Sequence, residues 1–133
     1  MEKTNIKVEC YEKIIAQSDH YYIKGIYESA NLYLKSDNKY ITTVGDFYGN
    51  PEDGLIDWKE RFCITVGYGY IVYYLRSPFE KYSYHRDTTQ WLEGRRENNS
   101  IRWIERVRQI SDNEVELTDE YGNKEIIEIP NLR

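Results

Sequence analysis

The stretch VRQISDNEVELTDEYGNKEIIEI, residues 107–129, decides the fold class. Three short apolar-rich runs, Val107 to Ile110, Glu114 to Thr118 and Lys124 to Ile129, are separated by Ser111-Asp112-Asn113 and Tyr121-Gly122-Asn123, both of turn composition. Val115 and Leu117 alternate with Glu114, Glu116 and Thr118, and Ile127 and Ile129 resume the alternation after the second turn. Period two puts one set of side chains on a buried face and the other in water. The spacing predicts a three-stranded antiparallel meander.

Upstream, Phe62 to Leu75 is rich in β-branched and aromatic residues and reads as a strand, with Gly67 and Gly69 expected to mark a bulge or bend. Tyr40 to Tyr48 also reads as a strand, carried by Thr42, Thr43 and Val44. Gly49 to Asp57 reads as a loop between them. Near the N-terminus Ile6, Val8 and Cys10 alternate as in a strand, and turns are expected near Ser18-Asp19 and Ser36-Asp37-Asn38.

Two segments fit both periods. Ile23, Ile26, Tyr27 and Ala30 have helical spacing within residues 22–34, and Ile101, Ile104 and Val107 have it within 101–110, where Ser100 is placed as an N-cap. Continuity with the meander favours strand for 101–110, and strands with turns are preferred for the N-terminal segment. The expectation is a mainly β protein: one antiparallel-sheet domain over residues 1–133, a half-barrel or small sandwich ending in the meander, with room for one short helix.

Composition narrows the function classes. The 133 residues hold 14 Tyr, 3 Trp and 3 Phe, with a net charge of −5. Residues 1–75, 76–108 and 109–133 carry local nets of −3, +3 and −5, so the overall field would not draw nucleic acid. The longest apolar run falls far short of a membrane helix, and the charges among Met1 to Glu12 do not suit a signal peptide, so a cytoplasmic location away from membranes is expected. Cys10 and Cys63 lack a ligand or redox spacing and read as small buried hydrophobes.

Several chemistries lack their motif. No GxSxG, Walker or dinucleotide fingerprint occurs, and Gly67-Tyr68-Gly69 has no third glycine. Asp46, Asn50, Glu52, Asp53 and Asp57 offer oxygen ligands, yet their spacing matches no calcium loop, and His20 and His85 have no zinc partners nearby in sequence. No metal or cofactor is expected. His85 with Tyr82, Tyr84, Arg86 and Asp87 is the one set resembling a small hydrolase centre, though alternation turns His85 away from Tyr82, Tyr84 and Arg86. Arg95, Arg96, Arg102, Arg106 and Arg108, interleaved with Trp91 and Trp103, could track a nucleic-acid strand, but ion pairs with Glu114, Glu116 and Asp119 across the meander are the simpler expectation.

Tyrosine is the remaining signal. A burial-only role would favour Phe at many of these positions, because a phenol hydroxyl buried without a partner is costly. Rigid amphipathic rings suit protein-binding surfaces. The expectation is a non-catalytic protein-binding protein, acidic and acting on a basic partner such as a toxin or nuclease domain. Bacterial immunity proteins are similar in this general character, and no motif assigns the chain to a family. The expected contacts are Asp46, Tyr48, Glu52, Asp53 and Asp57 on the loop and Tyr82, Tyr84 and Trp91 beyond Leu75. The alternative is a sheet that stacks a carbohydrate or single-stranded nucleic acid on Tyr68, Tyr70, Trp91 and Trp103, and less favoured still is the hydrolase of His85 and Arg86. No residue pattern specifies an oligomeric state.

Overall fold

The computed structural model describes residues 12–84, 86–94, 96–97 and 100–132, with the backbone alone at 96–97 and 100–101. Among the described residues the secondary structure is entirely β, and no helix is long and apolar enough to cross a membrane. The first sheet is a meander of β1 (Glu12–Gln17), β2 (Tyr21–Ile26), β3 (Ser29–Leu34) and β4 (Lys39–Asp46). The second is a meander of β5 (Asp53–Ile56), β6 (Phe62–Gly67), β7 (Gly69–Tyr74) and β8 (Trp91–Gly94). A small ribbon pairs β9 (Arg96–Glu97) with β10 (Ser100–Ile101), and β11 (Ile104–Gln109), β12 (Glu114–Asp119) and β13 (Lys124–Glu128) form the third sheet. Every strand pair is antiparallel.

The second sheet lies between the other two and feeds two cores. On one face Cys63, Ile71, Tyr73 and Trp91 pack with Ile23, Leu32 and Val44 of the first sheet. On the other, Phe62, Ile64, Val66, Val72 and Tyr74 pack with Ile104, Val107, Val115 and Leu117 of the C-terminal meander. Burial on both faces explains why residues 62–74 read as a nearly unbroken apolar run, since neither face needs polar side chains for water. The meander matches its expectation, with Val115 and Leu117 wholly buried and Ile129 nearly so.

Several local expectations are corrected. Gly67 and Gly69 mark a reversal: they are register partners in a β6–β7 hairpin with Tyr68 at its tip, and Gly69 takes a φ of 89° that glycine adopts without strain. Tyr68 therefore leaves the face of Tyr70, Val72 and Tyr74 and packs towards the first sheet. The expected loop at 49–57 contains β5, whose Gly54, Leu55 and Ile56 pair with Thr65, Ile64 and Cys63.

The helical spacings have β causes. Residues 22–34 form the β2–β3 hairpin, turned at Tyr27 with φ 53°. In β11 the register shifts between Ile104 and Arg106, and this bulge turns both Ile104 and Val107 inward although they are three residues apart. A similar irregularity lies between Ile14 and Ala16 of β1. No helix occurs among the described residues, so the room left for a short one is not used there. The Ile6, Val8 and Cys10 strand lies outside the described residues, whereas Cys63 is fully buried and burial pushes its thiol pKa up.

Candidate functional site

Alternation at the end of β4 builds the site. Asp46 and Tyr48 face outward while Phe47 between them turns into the core and is only 4% exposed. The Phe47 N–H donates to the Glu28 carbonyl at 2.9 Å, and the Gly49 N–H donates to Glu28 Oε2 at 3.0 Å. Gly49 has φ 97°, and a Cβ there would sit 3.0 Å from the Trp103 ring, so a glycine is needed to turn the chain at this point. That turn sets the Tyr48 ring 5.4 Å from the Tyr68 ring, tilted by 54°.

Tyr68 is held from the other side. Gly69 N–H donates to the Arg102 carbonyl at 2.8 Å, and Tyr68 bridges Trp103. The Trp103 indole N–H donates to Glu52 Oε2 at 3.0 Å. The long connection after β7 brings in Tyr84. It is pinned by the Tyr82 N–H on the Thr43 carbonyl at 2.9 Å, by the Tyr73 hydroxyl on the Glu80 carbonyl at 2.5 Å, and by the Tyr82 hydroxyl on Glu93 at 2.7 Å.

The result is an open cleft of about 310 Å³ lined by Glu28, Asp46, Phe47, Tyr48, Tyr68 and Tyr84. Tyr48 is 76% exposed and Tyr84 57%. Chemically the cleft offers aromatic faces, phenol hydroxyls and two carboxylates, a combination that suits a cation carried on a flat or apolar body.

Three of the eight expected contacts, Asp46, Tyr48 and Tyr84, meet in this cleft, and Glu52 stands beside it on Trp103. The other four serve the fold. Asp53 is half-buried and accepts the Val107 N–H at 3.0 Å, tying β5 to β11. Asp57, Tyr82 and Trp91 are corrected from surface contacts to interior residues, at 0%, 4% and 5% exposure. Asp57 is enclosed by Arg61 and Gln109, and the Tyr82 and Trp91 rings pack 5.0 Å apart. Burial leaves them almost no surface to offer a partner.

The described members of the competing sets have separate surroundings. Of the stacking aromatics, Tyr68 opens on the cleft, Tyr70 covers Gly94, Trp91 is interior and Trp103 is held by Glu52. Arg86 pairs with Glu80 at 3.2 Å and Tyr82 turns inward, while His85 lies outside the described residues. Arg108 lies opposite Glu116 with Nε 2.9 Å from Oε1, as expected, and Arg102 pairs with Glu125 on β13 and helps to lower the Asp119 pKa by its charge. Among the described residues no group of three or more acidic, His or Cys side chains is placed to hold a metal ion.

Sequence reasoning missed Glu28 and Phe47. Phe47 was legible from alternation after Asp46. Glu28 had no local signal, because only the β3–β4 register, with Ser29 opposite Asp46, brings it to the cleft. Compared with known protein families and with curated proteins, the sequence finds no match in either.

Proposed function

We propose that this chain is a non-catalytic protein-binding protein that holds a basic partner through the cleft and its rim, acting in the cytoplasm as an inhibitor of the immunity type. The observation that carries this reading is the convergence of Tyr48, Tyr68 and Tyr84 with Glu28 and Asp46 around one opening. Exposed tyrosines backed by a fixed turn supply contact area at low entropic cost, and the acidic field speeds encounter with a cation-rich surface. The net charge of −5 works in the same direction.

Quantitative affinity capture at low and high salt, with the wild-type chain and Tyr48→Ala compared, tests the proposal. A basic protein retained by wild type, released by salt and depleted with Tyr48→Ala is the expected result. Capture that is equal for both chains, or insensitive to salt, overturns it.

A further inference from the structure

Resting on that reading, we propose that the cleft receives one arginine side chain from the partner. Three features of the opening select this occupant. The opening is lined by the nearly buried Phe47 and by Tyr48, Tyr68 and Tyr84, so an entering group meets aromatic residues on several sides. Glu28 and Asp46 add carboxylates at the same opening, which favours a cation. The cleft, at about 310 Å³, is scaled to one long side chain and not to a helix or a strand.

Between the two long cationic side chains the geometry points to arginine. Its guanidinium is planar, stacks on aromatic faces and is more weakly hydrated than an ammonium, so it loses less on entering a ring-lined cleft. A lysine presents a compact, strongly hydrated charge that gains less from the ring faces. The site is also set in advance: Tyr48 rests against Tyr68, and the Glu28 carboxylate holds the Gly49 turn beneath it. The backbone beneath the rings is therefore fixed before binding, which lowers the ordering cost.

The test is an NMR titration of the full chain, following the tyrosine ring resonances, with three capped tripeptides: Gly-Arg-Gly, Gly-Lys-Gly and Gly-citrulline-Gly. Citrulline keeps the planar shape and removes the charge. The expected result is saturable perturbation of Tyr48, Tyr68 and Tyr84 by the arginine peptide, several-fold weaker binding of the lysine peptide, and loss of saturation with citrulline. Tyr48→Ala weakens the arginine peptide about threefold to fivefold, whereas Tyr48→Phe, which keeps the ring face, stays within about twofold. Circular dichroism of both variants, unchanged from wild type, shows that they fold.

Equal binding of citrulline, perturbations mapping elsewhere, no saturation with arginine, or an unaffected Tyr48→Ala overturns the assignment. Tighter binding of tetramethylammonium than of the arginine peptide also overturns it, in favour of a small quaternary ammonium ligand. If the arginine peptide fails while capture of a basic protein still depends on Tyr48 and on salt, only the arginine assignment falls. If both fail, the protein-binding reading falls with it.

Discussion

Arg61 encloses the buried Asp57 carboxylate, with Nε 2.6 Å from Oδ2 and Nη2 3.0 Å from Oδ1. The same carboxylate accepts the Arg61 N–H at 2.9 Å and Gln109 Nε2 at 2.8 Å, so one group joins the β5–β6 loop to β11. Burial by itself would raise the Asp57 pKa, but the hydrogen bonds from Arg61 and Gln109 outweigh it and hold the carboxyl below its ordinary value. The pair's contribution to stability is therefore fully present above the unfolded value of 3.8 and is lost as pH falls through the depressed folded value. Asp57→Ala should cost about 3 kcal/mol, the low end for breaking a buried ion pair, because the guanidinium keeps its contacts to Asp112 while the Arg61 N–H loses its acceptor. Urea denaturation at neutral pH measures this, and a loss under about 1 kcal/mol would refute the role given to the pair.

The Tyr70 ring covers Gly94, its cross-strand partner on β8. A Cβ at Gly94 would lie 2.4 Å from the ring, so Gly94→Ala forces the aromatic out of place. The expected loss is about 1–3 kcal/mol. In a Tyr70→Ala background the same change should cost much less, and a double-mutant cycle with no coupling would show that the two residues do not meet.

His20 Nδ1 lies 2.8 Å from Glu60 Oε1, and the other oxygen of Glu60 accepts the Ser18 hydroxyl at 2.5 Å and the His20 N–H at 2.9 Å. The β1–β2 turn is thereby fastened to the β5–β6 loop. The hydrogen bond to Glu60, reinforced by its charge, raises the His20 pKa. Stability from this contact is complete below the unfolded value of 6.5 and disappears as pH rises through the raised folded value. An NMR titration should find the His20 ring titrating above 6.5 in wild type and shifted down towards it in Glu60→Gln. An unchanged midpoint in the variant would sever the link.

Buried and exposed tyrosines should respond differently to loss of the hydroxyl. Tyr73 and Tyr82 place theirs on the Glu80 carbonyl and the Glu93 carboxylate, and both fasten the connection that carries Tyr84. Tyr73→Phe and Tyr82→Phe should each cost about 1 kcal/mol by thermal or chemical denaturation. Tyr48→Phe should change stability by less than about 0.5 kcal/mol, since its ring is largely in water.

Fold class was legible because period two is a local property. The alternation of Val115 and Leu117 with their charged neighbours specifies a half-buried strand whatever lies elsewhere, and the Ser111-Asp112-Asn113 and Tyr121-Gly122-Asn123 turns set the connections. The excess of Tyr over Phe was legible too, and it had two causes. At Tyr73, Tyr74 and Tyr82 a buried hydroxyl finds a carbonyl or carboxylate, whereas at Tyr48 and Tyr84 the side chain is exposed.

Which tyrosines are buried, and which gather at the cleft, depends on pairing between distant strands. A bulge in β11 imitates helical spacing, and the β6–β7 hairpin moves Tyr68 off the face that simple alternation assigns it. Asp57 looks like another loop carboxylate until Arg61 and Gln109 close around it. Glu28 reaches the cleft through cross-strand register with a segment almost twenty residues away. Each of these depends on pairing between distant strands, whose register is set by burying two cores at once and leaves no periodic trace in the chain.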